Sequence, residues 1–133
     1  MTVGGQYGDR MPTDAILQHG WQHGWQQCYA DWLSQIERKS GRANTRRAYE
    51  GDVVDFFSFS GREPGSIDAT HAEAWVQELT RRGLAPATLN RKLSSLSSLY
   101  RYAGEYPGLS STANPFTSRS LRTQYQPSFL APS

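Results

Sequence analysis

Two short clusters hold the residue types best suited to chemistry. Asn44, Thr45, Arg46 and Arg47 form the first, and Thr88, Asn90, Arg91 and Lys92 form the second. A guanidinium forks onto phosphate oxygens or onto the acceptor edge of guanine, and a carboxamide matches the edge of adenine. Both clusters sit where a helix is expected to begin. There the unpaired backbone N–H groups and the helix dipole favour an anion. Chemistry of this kind grips and reads a polyanion; it breaks no bonds.

The second cluster opens the segment 86–106, PATLNRKLSSLSSLYRYAGEY. Leu89, Leu93, Leu96, Tyr100 and Ala103 recur at steps of four, three, four and three, which is one face of an α-helix. The opposite face is expected to hold Arg91, Ser94, Ser95, Ser98, Arg101 and Tyr102. Serine is a mediocre helix former, and a merely solvated face usually favours Glu and Lys. Short hydroxyl side chains let another surface approach the backbone closely. Ser95 and Ser98 therefore join the candidate DNA-facing residues.

Signatures of catalysis are missing. The chain has no Gly-rich phosphate loop, no HExxH and no Cys/His cluster at metal spacing, so neither cofactor nor metal is expected. His19 and His23 are four apart but lack a third ligand in register. His71 reads as a surface residue near a helix cap. Asp52 and Asp55 lie one turn apart with no nucleophile on their face. Asp52 is expected to pair with a nearby Arg or Lys.

The elements that must position these residues are helices. At 133 residues the chain has room for one core, and 12% aromatic content, including four Trp and seven Tyr, argues that the core is real. Trp25, Tyr29, Trp32 and Ile36 mark a first helix over about Gln26–Lys39, stopped by Gly41. The tandem HGWQHGWQ at 19–26 precedes it, and Trp21 and Trp25 are expected to pack on the domain. A second helix is expected after Asn44 as N-cap, running to about Phe59 with Tyr49, Val53 and Phe56 inward. GREPGS at 61–66 is a loop. A third helix begins near Asp68 or Thr70 and runs to Arg82, buries Ala72, Trp75, Val76 and Leu79, and is capped by Thr70 with Glu73. The fourth begins at Pro86 and ends at Gly104 and Pro107.

No segment alternates with period two, so the fold class is all-α. Residues 1–20 are expected to be a flexible arm, 21–116 the helical domain and 117–133 a tail. The formal charge is only +2, but from Arg38 to Tyr102 eleven Lys/Arg face seven Asp/Glu. Arg119 and Arg122 follow in the tail with no acid after Glu105. Cys28 is the only cysteine, which excludes an intrachain disulfide and fits a reducing cytoplasm. No apolar run approaches the roughly 18 residues of a membrane span, and the N-terminus is no secretory signal. A cytoplasmic protein that does not meet a membrane is expected.

These segments resemble a known family. SGRANTRRAYEGDVVDFFSF, then SIDATHAEAWVQELTRRGLAPATLNRKLSSLSSLYRYAGEY, then ANPF, together look like the N-terminal core-binding domain of tyrosine recombinases, the phage integrases and Xer-type enzymes. The ordered motifs are N-T-R-x-A-Y, D-V-x-x-F, A-T-L-N-R-K-L-S-S-L-x-x-L-Y-x-Y and N-P, over roughly residues 25–116. The resemblance implies a SAM-like four- to five-helix bundle that forms half of a clamp on double-stranded DNA. It implies that the second and fourth helices face the major groove. It also implies further recombinase subunits as partners in a full-length protein, with the isolated domain monomeric. Asn114-Pro115 would mark the exit toward a linker in which Arg119 and Arg122 lie against phosphates. The family's active site combines Arg, Lys, His-x-x-Arg and a nucleophilic Tyr on a second domain. No His-x-x-Arg occurs here, so no tyrosine is assigned as nucleophile and no catalysis is expected of this chain alone. Ala85 stands where the family often has a Ser cap, and Gly51 interrupts the second helix. A helical adaptor that docks a partner protein through the Ser/Arg face is the alternative from a different class.

Overall fold

The computed structural model describes residues 20–117, which form four α-helices and one short 3-10 turn with no strand among them. The helices are α1 (His23–Ser40), α2 (Ala43–Ser60), α3 (Ala69–Arg81) and α4 (Pro86–Ala103), with the 3-10 turn at Pro64–Ser66. Each end has a local cause. Gly41 and Gly61 take left-handed φ angles of 70° and 66°, and their N–H groups donate to Glu37 O and Phe57 O. That closes α1 and α2 where a side chain with a Cβ would be strained. Pro86 occupies the first turn of α4, where its missing N–H has no partner to lose.

Two starts differ from the sequence expectation. Helix α2 begins at Ala43 with Arg42 in the cap position, so Asn44 lies inside the first turn. Its Oδ1 accepts instead from Arg47 at 2.8 Å. Ser40 Oγ accepts from the Arg42 N–H at 3.0 Å, and this turn restarts the helix two residues earlier than expected. Helix α3 is capped by Asp68 and His71 rather than by Thr70 and Glu73. Asp68 accepts from the N–H groups of Thr70 and His71, and the His71 ring accepts from the Asp68 N–H at 3.0 Å.

The core is aromatic. Trp25, Tyr29, Trp32, Phe56, Trp75 and Tyr100 are among its largest fully buried side chains, each contributing very roughly 1.5–3 kcal/mol by leaving water. Phe56 stands edge-on to Trp75 at 5.0 Å and to Phe116 at 5.0 Å. Trp21 and Trp25 are both buried, so the HGWQ tandem brings two indoles to the core one turn apart. Cys28 is wholly buried beside them, and burial, aided by Asp31, pushes its thiol up to about 12. It is an apolar filler with no thiolate to offer.

Helix α4 packs against the other three helices. It therefore buries a wider arc than the stripe of a surface helix, including Leu99 and Ser95. The segment after α4 returns along it. Asn114 Nδ2 donates to Ser97 Oγ at 3.0 Å, and Asn114 Oδ1 accepts from the Phe116 N–H at 2.9 Å. This turn swings Phe116 into the core, so the ANPF segment closes the bundle rather than merely leaving it.

Candidate nucleic-acid interface

The α1–α2 corner gathers positive charge. Over residues 37–47, ERKSGRANTRR, five bases accompany the single acid Glu37. Arg38, Lys39, Arg42, Arg46 and Arg47 are all exposed. Arg46 reaches a carboxylate, Glu37, at a loose 3.8 Å on the surface. The first turn of α2 has no side-chain cap and no acid. Free N–H groups, the positive end of the helix dipole and exposed guanidinium groups thus share one corner, a setting that suits phosphate oxygens. Thr45 is half-buried and lines a groove of about 280 Å³ with Lys39, Tyr49 and Ser98. Lys39 and Arg42 were not among the sequence candidates. The run of bases was their signal.

Helices α2 and α4 meet in an antiparallel seam. Asp52 pairs with Ser95 and Asp55 with Lys92, so one helix ascends as the other descends. Asp52 is 2% exposed and accepts from Ser95 Oγ at 2.6 Å, Arg91 at 2.9 Å and Lys92 at 3.3 Å. Lys92 also reaches Asp55 at 3.0 Å, and Asp55 accepts from Arg82 at 3.0 Å. Arg82 closes the chain on Glu78, so charges of alternating sign link α3, α2 and α4. Burial alone would raise the Asp55 carboxyl, but hydrogen bonds from Arg82 and Lys92 outweigh it and hold it below its ordinary value. Arg81 and Arg82 hold the Glu78 carboxyl down at about 2.

This seam corrects the expected polar face. Ser95 is buried, and its hydroxyl is spent on Asp52. Lys92 is half-buried between two carboxylates. Ser98 accepts from the Trp32 indole at 3.1 Å, so its hydroxyl supports the core. Tyr102 is half-buried against Tyr106. The exposed stripe of α4 is narrower: Ala87, Arg91, Ser94 and Arg101. Thr88 and Asn90 flank its start and are half-buried. On α2 the exposed stripe is Asn44, Arg47, Gly51 and Ser58. The two candidate clusters do not converge at one point. The antiparallel pairing puts Thr45 beside the C-terminal half of α4 and leaves Thr88 toward the other end of the seam, with Arg91 between them. Arg119 and Arg122 lie outside the described residues.

The arrangement joins a helix start, a line of exposed arginines and a rigid seam. Residues 29–105 match the family model described as the phage integrase N-terminal SAM-like domain. The chain belongs to this family. Proteins similar to it include tyrosine recombinases. Tyrosine recombinase XerD of Caulobacter vibrioides is 41% identical over 70 residues, covering 50% of this chain and 23% of that protein. Tyrosine recombinase XerC of Thermodesulfovibrio yellowstonii is 32% identical over 73 residues, covering 54% of this chain and 24% of that protein. The chain thus spans about a quarter of the length of these curated relatives. No solved structure gives a significant match. Among the described residues its regular secondary structure is all helical. None of its described helices is long and apolar enough to cross a membrane, and no group of three or more metal-ligating side chains comes together among those residues.

Proposed function

We propose that this SAM-like domain grips double-stranded DNA for a site-specific tyrosine recombinase. It holds part of the recombination half-site, and strand cleavage falls to a separate domain of such a recombinase. The supporting observation is the pair of exposed stripes on α2 and α4, Asn44–Arg47–Gly51 and Arg91–Ser94–Arg101, flanking one antiparallel seam. Arg46 and Arg47, with Arg42 and the open first turn of α2, take phosphates. Thr88, Asn90 and Arg91 meet base edges in the major groove, where Asn suits adenine and Arg suits guanine. Thr45 and Ser98 line the groove between these contacts. Further recombinase subunits are its protein partners within the assembled recombinase.

Fluorescence anisotropy of a labelled duplex, titrated with the protein at low and at physiological salt, tests the proposal. Binding that weakens steeply as salt rises is expected, because each phosphate contact releases a counterion. Arg47→Ala lowers affinity for all duplexes alike and reduces the salt slope by about one. A folded protein that shows no binding at low salt would contradict the proposal.

A further inference from the structure

Asp52 is an acid at the centre of a surface proposed to meet a polyanion. Electrostatics alone disfavours a carboxylate there. It is nonetheless buried and bonded: 2% exposed, held by the buried Ser95 hydroxyl at 2.6 Å and by Lys92 at 3.3 Å. Those two partners hold the carboxylate so that it cannot turn. On its outer side it takes a single nitrogen of Arg91 at 2.9 Å, and the Arg91 side chain remains 51% exposed. A guanidinium carries five N–H donors in a rigid fork. With one nitrogen on Asp52, the fork keeps donors for a second acceptor. Its long stem is ordered before any partner arrives, so less freedom is lost on binding.

We propose that Asp52 is a positioning residue for Arg91: the buried Asp52–Ser95–Lys92 group holds the Arg91 guanidinium at the angle at which it reads a base edge. Sequence preference at that base depends on Asp52 although Asp52 touches no DNA. The inference rests on the DNA-binding proposal and adds to it. Removing an acid near DNA and removing a support for Arg91 have opposite signatures. The first tightens binding to every sequence. The second erodes preference.

The test uses the full chain. Selection from a duplex pool with a randomised centre yields a preferred duplex, and anisotropy compares it with a scrambled duplex of equal composition. The wild type is expected to prefer the selected duplex by about tenfold or more through such a contact. Asp52→Asn reduces this ratio as far as Arg91→Ala does, while affinity for the scrambled duplex holds or rises. The double variant Asp52→Asn/Arg91→Ala loses no more than Arg91→Ala. Ser95→Ala, which removes one of the two bonds that fix the carboxylate but leaves the Arg91–Asp52 pair in place, is expected to lose part of the ratio, less than Asp52→Asn loses. Should the Asn variant fail to fold, Asp52→Glu retains the charge, displaces the carboxylate by one methylene and is expected to lose the same ratio. A ratio unchanged in Asp52→Asn would overturn the proposal, as would additive losses in the double variant or a ratio unchanged in Ser95→Ala. A wild type that binds duplexes without preference overturns it too. A wild type that binds no duplex overturns the DNA-binding proposal itself.

Discussion

Ser95 donates its hydroxyl to Asp52 across 2.6 Å, and both side chains are buried where α2 meets α4. A serine on the polar arc of α4 thus serves the interior. Its neighbour Ser94 stays exposed. Ser95→Ala is expected to cost about 1–2 kcal/mol by depriving a buried carboxylate of one donor. Ser94→Ala is expected to change stability by less than about 0.5 kcal/mol. Urea unfolding of the two variants checks the contrast, and equal effects would contradict the assignment.

Phe116 lies after the last helix yet packs on Phe56 at 5.0 Å and on Tyr100 at 5.6 Å. Phe116→Ala is expected to cost about 3–5 kcal/mol, the usual range for removing a buried aromatic ring. Thermal melting followed by circular dichroism measures it. A near-neutral result would mean that the ANPF segment is a loose exit and not part of the bundle.

Acid should unfold the domain through its paired carboxylates. Asp55 and Glu78 both have folded-state values below their ordinary ones, so the unfolded chain binds more protons as pH falls. The Glu78 contribution is complete above about 4.5 and is lost as pH drops toward about 2, and the Asp55 contribution is lost in the same direction as acid protonates it. Arg82 bonds both acids. Arg82→Ala is therefore expected to flatten the decline of melting temperature across that window. A decline of unchanged steepness would contradict the linkage.

The helices and their inward stripes were legible because period and punctuation agree: Trp25, Tyr29 and Trp32 repeat at helical spacing, and Gly41 and Pro86 mark boundaries. The pairing of Asp52 with Arg or Lys was also legible, since two acids one turn apart need partners. The width of the exposed face of α4 was not. Periodicity shows which side is most apolar, but how much of the remainder is buried depends on how many neighbours a helix has, and α4 has three. Phe116 was missed for a similar reason. A single aromatic after a Pro has no period, and only the Asn114 turn brings it inward. Asn44 was read as a cap because its type fits, whereas the Ser40 turn had already started the helix.

Gly51 sits in the exposed stripe of α2, and a Cβ there would meet nothing within 4 Å. Gly51→Ala is expected to stabilise the protein by about 0.5–1 kcal/mol, the ordinary helix-interior difference. A melting temperature that falls instead would show that the open space is taken up in solution.

Amide chemical-shift mapping of the labelled protein against a DNA duplex tests the central claim most directly. The account predicts shifts gathered at Arg42–Gly51 on α2 and along Ala87–Arg101 on α4, growing at low salt and fading as salt rises. Shifts centred on α3, or on the side of the bundle where the Tyr106 hydroxyl donates to Asp31 of α1, would contradict it, as would a spectrum of folded protein that DNA leaves unchanged.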